Sequence, residues 1–270
     1  MIINPYLVQP SNAYGTLTTA WIAATGESDL TILGALNTLE SDLTTYGLTA
    51  KMKALYPMVG GTAAKHKYNF MDAQDTDAAY RLVFNGGWTH SSTGALPNGT
   101  NAYADTKLVP NGILSQNSAA IGTYLRGGTP TSLNSGISIG CSDVGYNQAL
   151  YLAYAYSAGA GFDFSRNNNN VGTSSATDNL SRGFLQNYRS NSTNMKILKN
   201  NLTPLTNTNA TSGVANVNMY IGASNNNNVT EWYSDIEISF AFISDGYNDT
   251  EAANFYTAVQ AFQTTLSRQV

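Results

Sequence analysis

Residues 80–110 read YRLVFNGGWTHSSTGALPNGTNAYADTKLVP, and the fold turns on how this stretch is read. It opens with the apolar run Tyr80-Arg81-Leu82-Val83-Phe84, whose bulky side chains suit a buried strand. Asn85-Gly86-Gly87 comes next, three residues that tolerate positive φ, so the chain must turn there. A second turn cluster, Pro97-Asn98-Gly99-Thr100, leads into Ala102-Tyr103-Ala104-Asp105-Thr106. Small and large residues alternate there as in a half-buried strand. The residues before this stretch read mainly as helix and those after it as strands, so it marks the entry into a β-sandwich.

Downstream, strands are expected at 119–126, 136–141, 149–156, 162–164, 183–189, 195–199, 217–223 and 235–244. Turn clusters separate them: Gly127-Gly128, residues 157–161, the Asn quartet 167–170, Asn200-Asn201 and the Asn quartet 225–228. Short strands at even spacing argue for a sandwich or barrel rather than βαβ units. Lys199-Asn200-Asn201-Leu202 reads as a tight hairpin, because Asn tolerates the left-handed backbone that a type I′ turn requires. The quartets are most simply loop tips; in a functional reading, their amides are suited to hydrogen-bond sugar hydroxyls.

Upstream, residues 1–20 carry Pro5 and Pro10 without sustained periodicity and read as an extended arm. Residues 21–64 read as a helical segment, with Ser28 as N-cap and Ile32, Leu36, Leu39 and Leu43 forming an apolar stripe that ends at Tyr46-Gly47. That stripe either packs on the sandwich or joins copies of the chain. A second short helix is expected over 49–55, before Pro57. The sandwich then occupies 65–270 and closes with a helix capped by Asn248, with Glu251 at N3 and Ala252, Phe255, Tyr256, Val259, Phe262 and Leu266 on one face.

The composition bounds the function. Charged residues make up 11% of the 270, against the usual ~25%, while 42% are hydrophobic, with 17 Tyr, 9 Phe and 3 Trp to build a core. A net charge of −4 offers no general attraction to phosphate, so no nucleic-acid partner is expected. No apolar run approaches the ~20 residues of a membrane span, so no membrane insertion is expected either. The start of the sequence lacks a basic region followed by an apolar core, which predicts folding in a cytoplasm and release by another route. The single Cys141 lies in an apolar run and reads as a buried thiol.

Three constellations carry possible chemistry. Asp72, Asp75 and Asp77 could ligate Ca²⁺, but they lack the Gly and distal Glu of an EF-hand loop and read better as turn and capping residues. Glu231, Asp235 and Glu237 are the nearest candidates for a glycosidase carboxylate pair, and the pattern Glu-x-Asp-x-x-Glu is absent. The two histidines, His66 and His90, lie in no nucleophile motif, and His90 reads as a loop hydrogen-bonder. No phosphate loop or Cys/His zinc spacing is present, so no cofactor, no metal and no catalysis are expected.

Several blocks resemble a family of tailed-phage virion proteins. They are Met52-Lys-Ala-Leu-Tyr-Pro57-Met-Val-Gly-Gly61-Thr with His66-Lys67, residues 77–84 (DAAYRLVF), 87–94 (GWTHSSTG), 97–106 (PNGTNAYADT) and the ending 255–270. The likeness runs from about Trp21 to the end. Met195-Lys-Ile-Leu-Lys-Asn, Tyr220-Ile-Gly-Ala and residues 238–243 (ISFAFI) resemble the laminin-G/concanavalin A-like jelly roll, with Asn201 where such hairpins commonly carry Gly. The resemblance implies a mainly β chain, a concanavalin A-like jelly-roll sandwich with helices at both ends. It also implies a structural component on the surface of a virion assembled in a bacterial cytoplasm: a head fibre, decoration protein or tail appendage. Its partners would be other virion proteins, its own copies in a homotrimer, and host-surface polysaccharide. Leu36, Leu39, Leu43, Phe255 and Phe262 are the candidate oligomer contacts, and Trp88, Tyr103 and Trp232 the candidate sugar platforms. The alternatives are a dedicated receptor adhesin and a glycosidase of the same fold.

Overall fold

The computed structural model describes residues 14–127, 136–153, 165–169, 182–202 and 205–270. Among the described residues, four helices and sixteen strands follow in chain order. Helices α1 (Thr16–Thr25) and α2 (Leu30–Thr45) precede β1 (Met52–Tyr56) and the single turn α3 (Ala63–His66). Then come β2 (Val83–Asn85), β3 (Trp88–Ser91), β4 (Gly94–Pro97), β5 (Tyr103–Asp105), β6 (Ala119–Leu125), β7 (Ile137–Ser142), β8 (Ala149–Ala153) and β9 (Ser165–Asn169). The last are β10 (Gly183–Asn191), β11 (Asn194–Lys199), β12 (Leu205–Asn207), β13 (Tyr220–Ile221), β14 (Ser224–Asn226), β15 (Val229–Glu231), β16 (Ile238–Ser244) and helix α4 (Asp249–Thr265).

The strands form two sheets. One runs β12-β11-β10-β6-β16-β4-β3, with β1 also on β16; the other runs β15-β14-β7-β13-β5-β2, with β8 on β7 and β9 on β8. Among the described residues, all strand pairs are antiparallel except β7 with β14. This is the expected jelly-roll type of β-sandwich, and the stretch at 80–110 supplies strands to both sheets: β3 and β4 to the first, β2 and β5 to the second.

Side-chain alternation builds three layers. Along β6, Ala119, Ile121 and Leu125 face the second sheet while Ala120 and Tyr124 face the helices. Along β16, Ala241 and Ile243 face inward and Phe240 and Phe242 outward, and a bulge between Ile238 and Phe240 lets Ile238 also face inward. Gly122 is required where β6 passes beneath Phe242, since a Cβ there would lie 2.3 Å from the ring and 2.4 Å from the Leu185 carbonyl. The inner core is aliphatic, with Ile139, Cys141, Leu150 and Leu152 opposing Ile121, Leu185 and Ile197. Burial pushes the Cys141 thiol well above its ordinary pKa, as an inert thiol requires.

The outer layer is aromatic. Phe184, Phe240, Phe242, Tyr188 and Tyr124 of the first sheet receive Phe255 and Phe262 of α4 and Leu36, Leu39 and Leu43 of α2. Phe255 meets Phe242 edge-on, 4.7 Å between centroids. All five candidate oligomer contacts are therefore spent inside the chain, each at most 2% exposed, and the stripe packs on its own sandwich. The expectation that they join copies is corrected: their apolar surface is already covered. The capping box of α4 forms as its sequence predicts, with Asn248 and Glu251 exchanging hydrogen bonds.

Other local expectations are corrected too. The N-cap of α2 is Asp29, whose carboxylate accepts from the backbone N–H of Thr31 and Ile32, while Ser28 donates its own N–H to Glu27. Helix α1 begins at Thr16, within the segment read as an arm; Glu40 of α2 accepts from the Leu17 and Thr18 backbone N–H groups and holds its first turn. The helix expected over 49–55 is a 3₁₀ turn followed by β1, because pairing with β16 overrides the local preference. The sandwich therefore begins before residue 65. Asn167 and Asn168 are buried in β9 rather than at a loop tip. The strand expected over 217–223 is only Tyr220–Ile221, ending at Gly222 with φ 81°. The strand expected at 162–164 lies outside the described residues. The Asn200-Asn201 turn forms as expected: both residues have positive φ, and the Leu202 N–H closes on the Lys199 carbonyl at 2.9 Å.

Candidate functional site

The second Asn quartet builds one rim of the second sheet. Asn225 and Asn226 lie in β14, and Asn227 and Asn228 form the two-residue turn to β15 with φ 47° and 70°. The Asn225 side chain closes the turn, its Oδ1 accepting from the Asn228 N–H at 2.8 Å, and its Nδ2 donates to the Asn218 carbonyl. The Asn227 N–H donates to the Ser142 carbonyl at the end of β7, so the hairpin tip sits beside the turn at residues 143–148.

Between that turn, Asn216-Val217 and the hairpin tip lies a cleft of about 460 Å³. The turn that walls it also carries Tyr146, which lies on Trp232, just past β15, at 5.0 Å and 23° between planes, and Tyr151 meets Trp232 edge-on. Glu231 ties the turn to the hairpin, its Oε2 accepting from the Tyr146 hydroxyl at 3.0 Å and from Asn226 Nδ2 at 3.1 Å. Val144 and Val229, 65% and 57% exposed, present apolar surface on the same turn and the same hairpin. Tyr146, Gln148, Asn227, Asn228 and Trp232 all have positive φ, a costly conformation for Tyr and Trp that the surrounding contacts must hold. Strain concentrated on one rim, amides and half-buried aromatic rings form a surface suited to polyhydroxylated ligands.

Of the three platforms read from the sequence, only Trp232 is here. The Trp88 indole donates to the Asn85 carbonyl at 3.0 Å and packs against Gly222, where a Cβ would come within 2.7 Å of the ring. Tyr103 stacks on Tyr220 at 4.5 Å, and burial beside Asp105 pushes the Tyr220 hydroxyl up to about 12. Trp88 Nε1 also donates to the Tyr103 carbonyl at 3.4 Å, so these two residues meet through the backbone. Sequence reasoning misses Tyr146, Asp143 and Asn216; the only other signal for this rim is the Asn quartet itself.

Two of the candidate glycosidase acids, Glu231 and Glu237, sit in separate networks. Glu231 is bound to Tyr146 and Asn226, whereas Glu237 accepts from Ser91 and Thr93 and pairs with Arg126 at 3.1 Å. Asp75 pairs with Lys67 and Arg81, Asp77 with Arg81, and Asp72 accepts from Gln74, so the Asp run serves its own turn.

The two histidines, distant in sequence, come together. His66 Nδ1 and His90 Nδ1 are 2.9 Å apart, so one ring donates and the other accepts. His66 is fully buried, and burial, reinforced by His90 and Arg268, lowers its pKa to about 3. His90 belongs to β3 rather than a loop and packs against both Phe84 and Trp88, and burial lowers its pKa too. A neutral, hydrogen-bonded pair of this kind fastens α3 to the sheet edge.

No family model and no curated protein matches the chain. Solved structures do match in fold. A Trypanosoma rangeli sialidase in complex with 2,3-difluoro-KDN aligns with a TM-score of 0.51 at 8% identity over 83% of this chain. A mutant of that sialidase with trans-sialidase activity gives 0.50 at 10% identity over 85%. The chain spans 39% of either sialidase. Domain 4 of AbnA, an extracellular arabinanase from Geobacillus stearothermophilus, in complex with arabinotriose, gives 0.49 at 15% identity over 76% of this chain and 98% of the domain. At these identities the matches with the sialidases establish a shared β-sandwich.

Proposed function

We propose that this chain is a structural component on the surface of a tailed-phage particle that contacts host glycans by binding, without hydrolysing them. The virion role rests on the blocks at 52–67, 77–106 and 255–270. The glycan role rests on one observation: the Tyr146–Trp232 stack, braced by Glu231, beside an amide-lined cleft on the β14–β15 rim. Ring faces take the C–H faces of sugars, and amides take their hydroxyls. The β-sandwich shared with sialidases is compatible with this role. Glu231 and Glu237 are engaged in separate networks, which supports a binding rather than a cleaving role. Copies of the chain, taken as a homotrimer, and other virion proteins would meet it through surfaces other than the buried leucine stripe.

Trp232→Ala is expected to weaken binding to extracted host polysaccharide at least tenfold, measured by titration of the purified full chain. Its thermal unfolding should stay cooperative, because Trp232 is only half-buried and lies on a rim. Unchanged affinity would remove this rim as the site.

A further inference from the structure

The cleft between the 143–148 turn, Asn216-Val217 and the β14–β15 hairpin tip is lined mainly by amides. Five carboxamides line it, from Asn147, Gln148, Asn216, Asn227 and Asn228, together with one carboxylate, Asp143. Three of the amides spend one end on the protein. Asn147 Nδ2 donates to the Val144 carbonyl at 3.2 Å, Gln148 Nε2 to the Ser212 carbonyl at 3.4 Å, and Asn216 Oδ1 accepts from Asn111 at 3.3 Å. Their other ends, Asn147 Oδ1, Gln148 Oε1 and Asn216 Nδ2, take no hydrogen bond from the described residues, so the cleft offers both acceptors and a donor. A hydroxyl donates and accepts, and such a mixed set fits it.

The charge around the cleft is one-sided. No Lys or Arg lines the cleft among the described residues, while Asp143 lies in its wall and Glu231 is bonded to Tyr146 of the bounding turn and Asn226 of the bounding hairpin. Asp143 is held in place, its Oδ1 accepting the Asn216 N–H at 2.9 Å. An acidic sugar would bring a carboxylate toward these acids with no cation to receive it, at the cost of desolvation without a charge-assisted hydrogen bond. From these groups we infer that the cleft is a subsite for neutral sugars and rejects uronic and sialic acids. The inference rests on the glycan-binding reading proposed for this rim and adds the class of sugar to it.

The test is affinity electrophoresis of the full chain through gels containing neutral polysaccharides (arabinan, galactan, mannan, glucan) or acidic ones (polygalacturonate, polysialate), at one salt concentration. Retardation by one or more neutral polymers, and at least tenfold weaker retardation by the acidic ones, is the expected result. Acidic polymers binding as tightly as neutral ones would overturn the inference and leave the glycan-binding reading standing. Retardation by none of them would overturn both. A second variant locates the selectivity. Val144 is exposed at the cleft wall, and Val144→Lys places a cation there without touching the core. It is expected to raise binding to the acidic polymers at least threefold with an unchanged melting temperature. No change in the neutral-to-acidic ratio would show that the cleft is not the subsite.

Discussion

Lowering the pH from 7 to 4 is expected to remove about 3 kcal/mol of folding stability through His66 alone. The ring is fully buried and its pKa in the folded chain is about 3, against ~6.5 when exposed. Because the folded value is the lower one, the unfolded chain takes up the proton first. The contribution is complete above about pH 6.5 and drains away as the pH falls toward 3, at up to ~1.4 kcal/mol per unit. His90, its hydrogen-bond partner, is shifted in the same direction, and Arg268 adds a positive charge nearby. Denaturant unfolding of wild type and His66→Gln at pH 7 and pH 4 measures the effect as a difference, since carboxylates elsewhere contribute equally to both. The gap between the two proteins should narrow by about 3 kcal/mol at the lower pH. A gap that does not depend on pH would mean that His66 accepts a proton in the folded state.

Arg268→Met is expected to destabilise the chain by roughly 3–5 kcal/mol, a loss of about 6–10 °C in melting temperature for a chain of this size. The Arg268 guanidinium is 1% exposed and stitches the C-terminus to the sandwich. It donates to the carbonyls of Met58, Pro57 and Ser239 at 2.9, 3.1 and 3.2 Å and to the Gln263 side chain at 2.9 Å. Its own carbonyl accepts from Arg126 Nε at 2.7 Å. Burial, with Arg126 close by, lowers its pKa to about 9, so the charged form is costly and is held by these acceptors. Methionine fills much of the space but leaves three carbonyls and an amide without donors. Arg268→Lys should recover only part of the loss, because an ammonium cannot span acceptors spread around a planar fork. A melting temperature within about 2 °C of wild type for the Met variant would show that the guanidinium contributes little beyond its own desolvation cost.

The fold is legible where a local pattern and its tertiary use agree. The turns at Gly86 and Gly99, the Asn200-Asn201 hairpin, the leucine stripe of α2 and the capping box of α4 each form as their residues predict, whereas the buried strand expected over 80–84 is only the half-buried Val83–Asn85, with Tyr80 at φ 57°. Local reading fails where distant partners decide. Residues 52–56 form a strand only because β16 is there to pair with them, and nothing nearby in sequence announces it. The same holds for Asn167 and Asn168, polar residues buried in β9, where Asn167 donates to the Ala119 carbonyl and Asn168 to the carbonyls of Ser115 and Gln116.

The candidate site is partly legible. Trp232 and the Asn quartet 225–228 each stand out in the sequence, but separately; only the β14–β15 hairpin places them on one rim. Tyr146 is an ordinary Tyr in sequence, and its role comes from a positive-φ turn that lays it on Trp232. Trp88 and Tyr103 look equivalent to Trp232 because sequence gives aromatic identity, not which rim of the sheet each ring reaches; all three are half-buried. The His66–His90 contact bridges 24 positions and carries no motif, so it is found only in three dimensions.

The claim that this chain binds host glycans without cleaving them is tested most directly in one tube. Purified protein is titrated against capsular polysaccharide extracted from the host, and new reducing ends are assayed in the same samples. The account predicts saturable binding, lost at least tenfold in Trp232→Ala, with no reducing ends released over hours. Release of reducing ends that disappears in Glu231→Gln would contradict it and make the protein a glycosidase; no saturable binding would remove the glycan role and leave only contacts with other virion proteins.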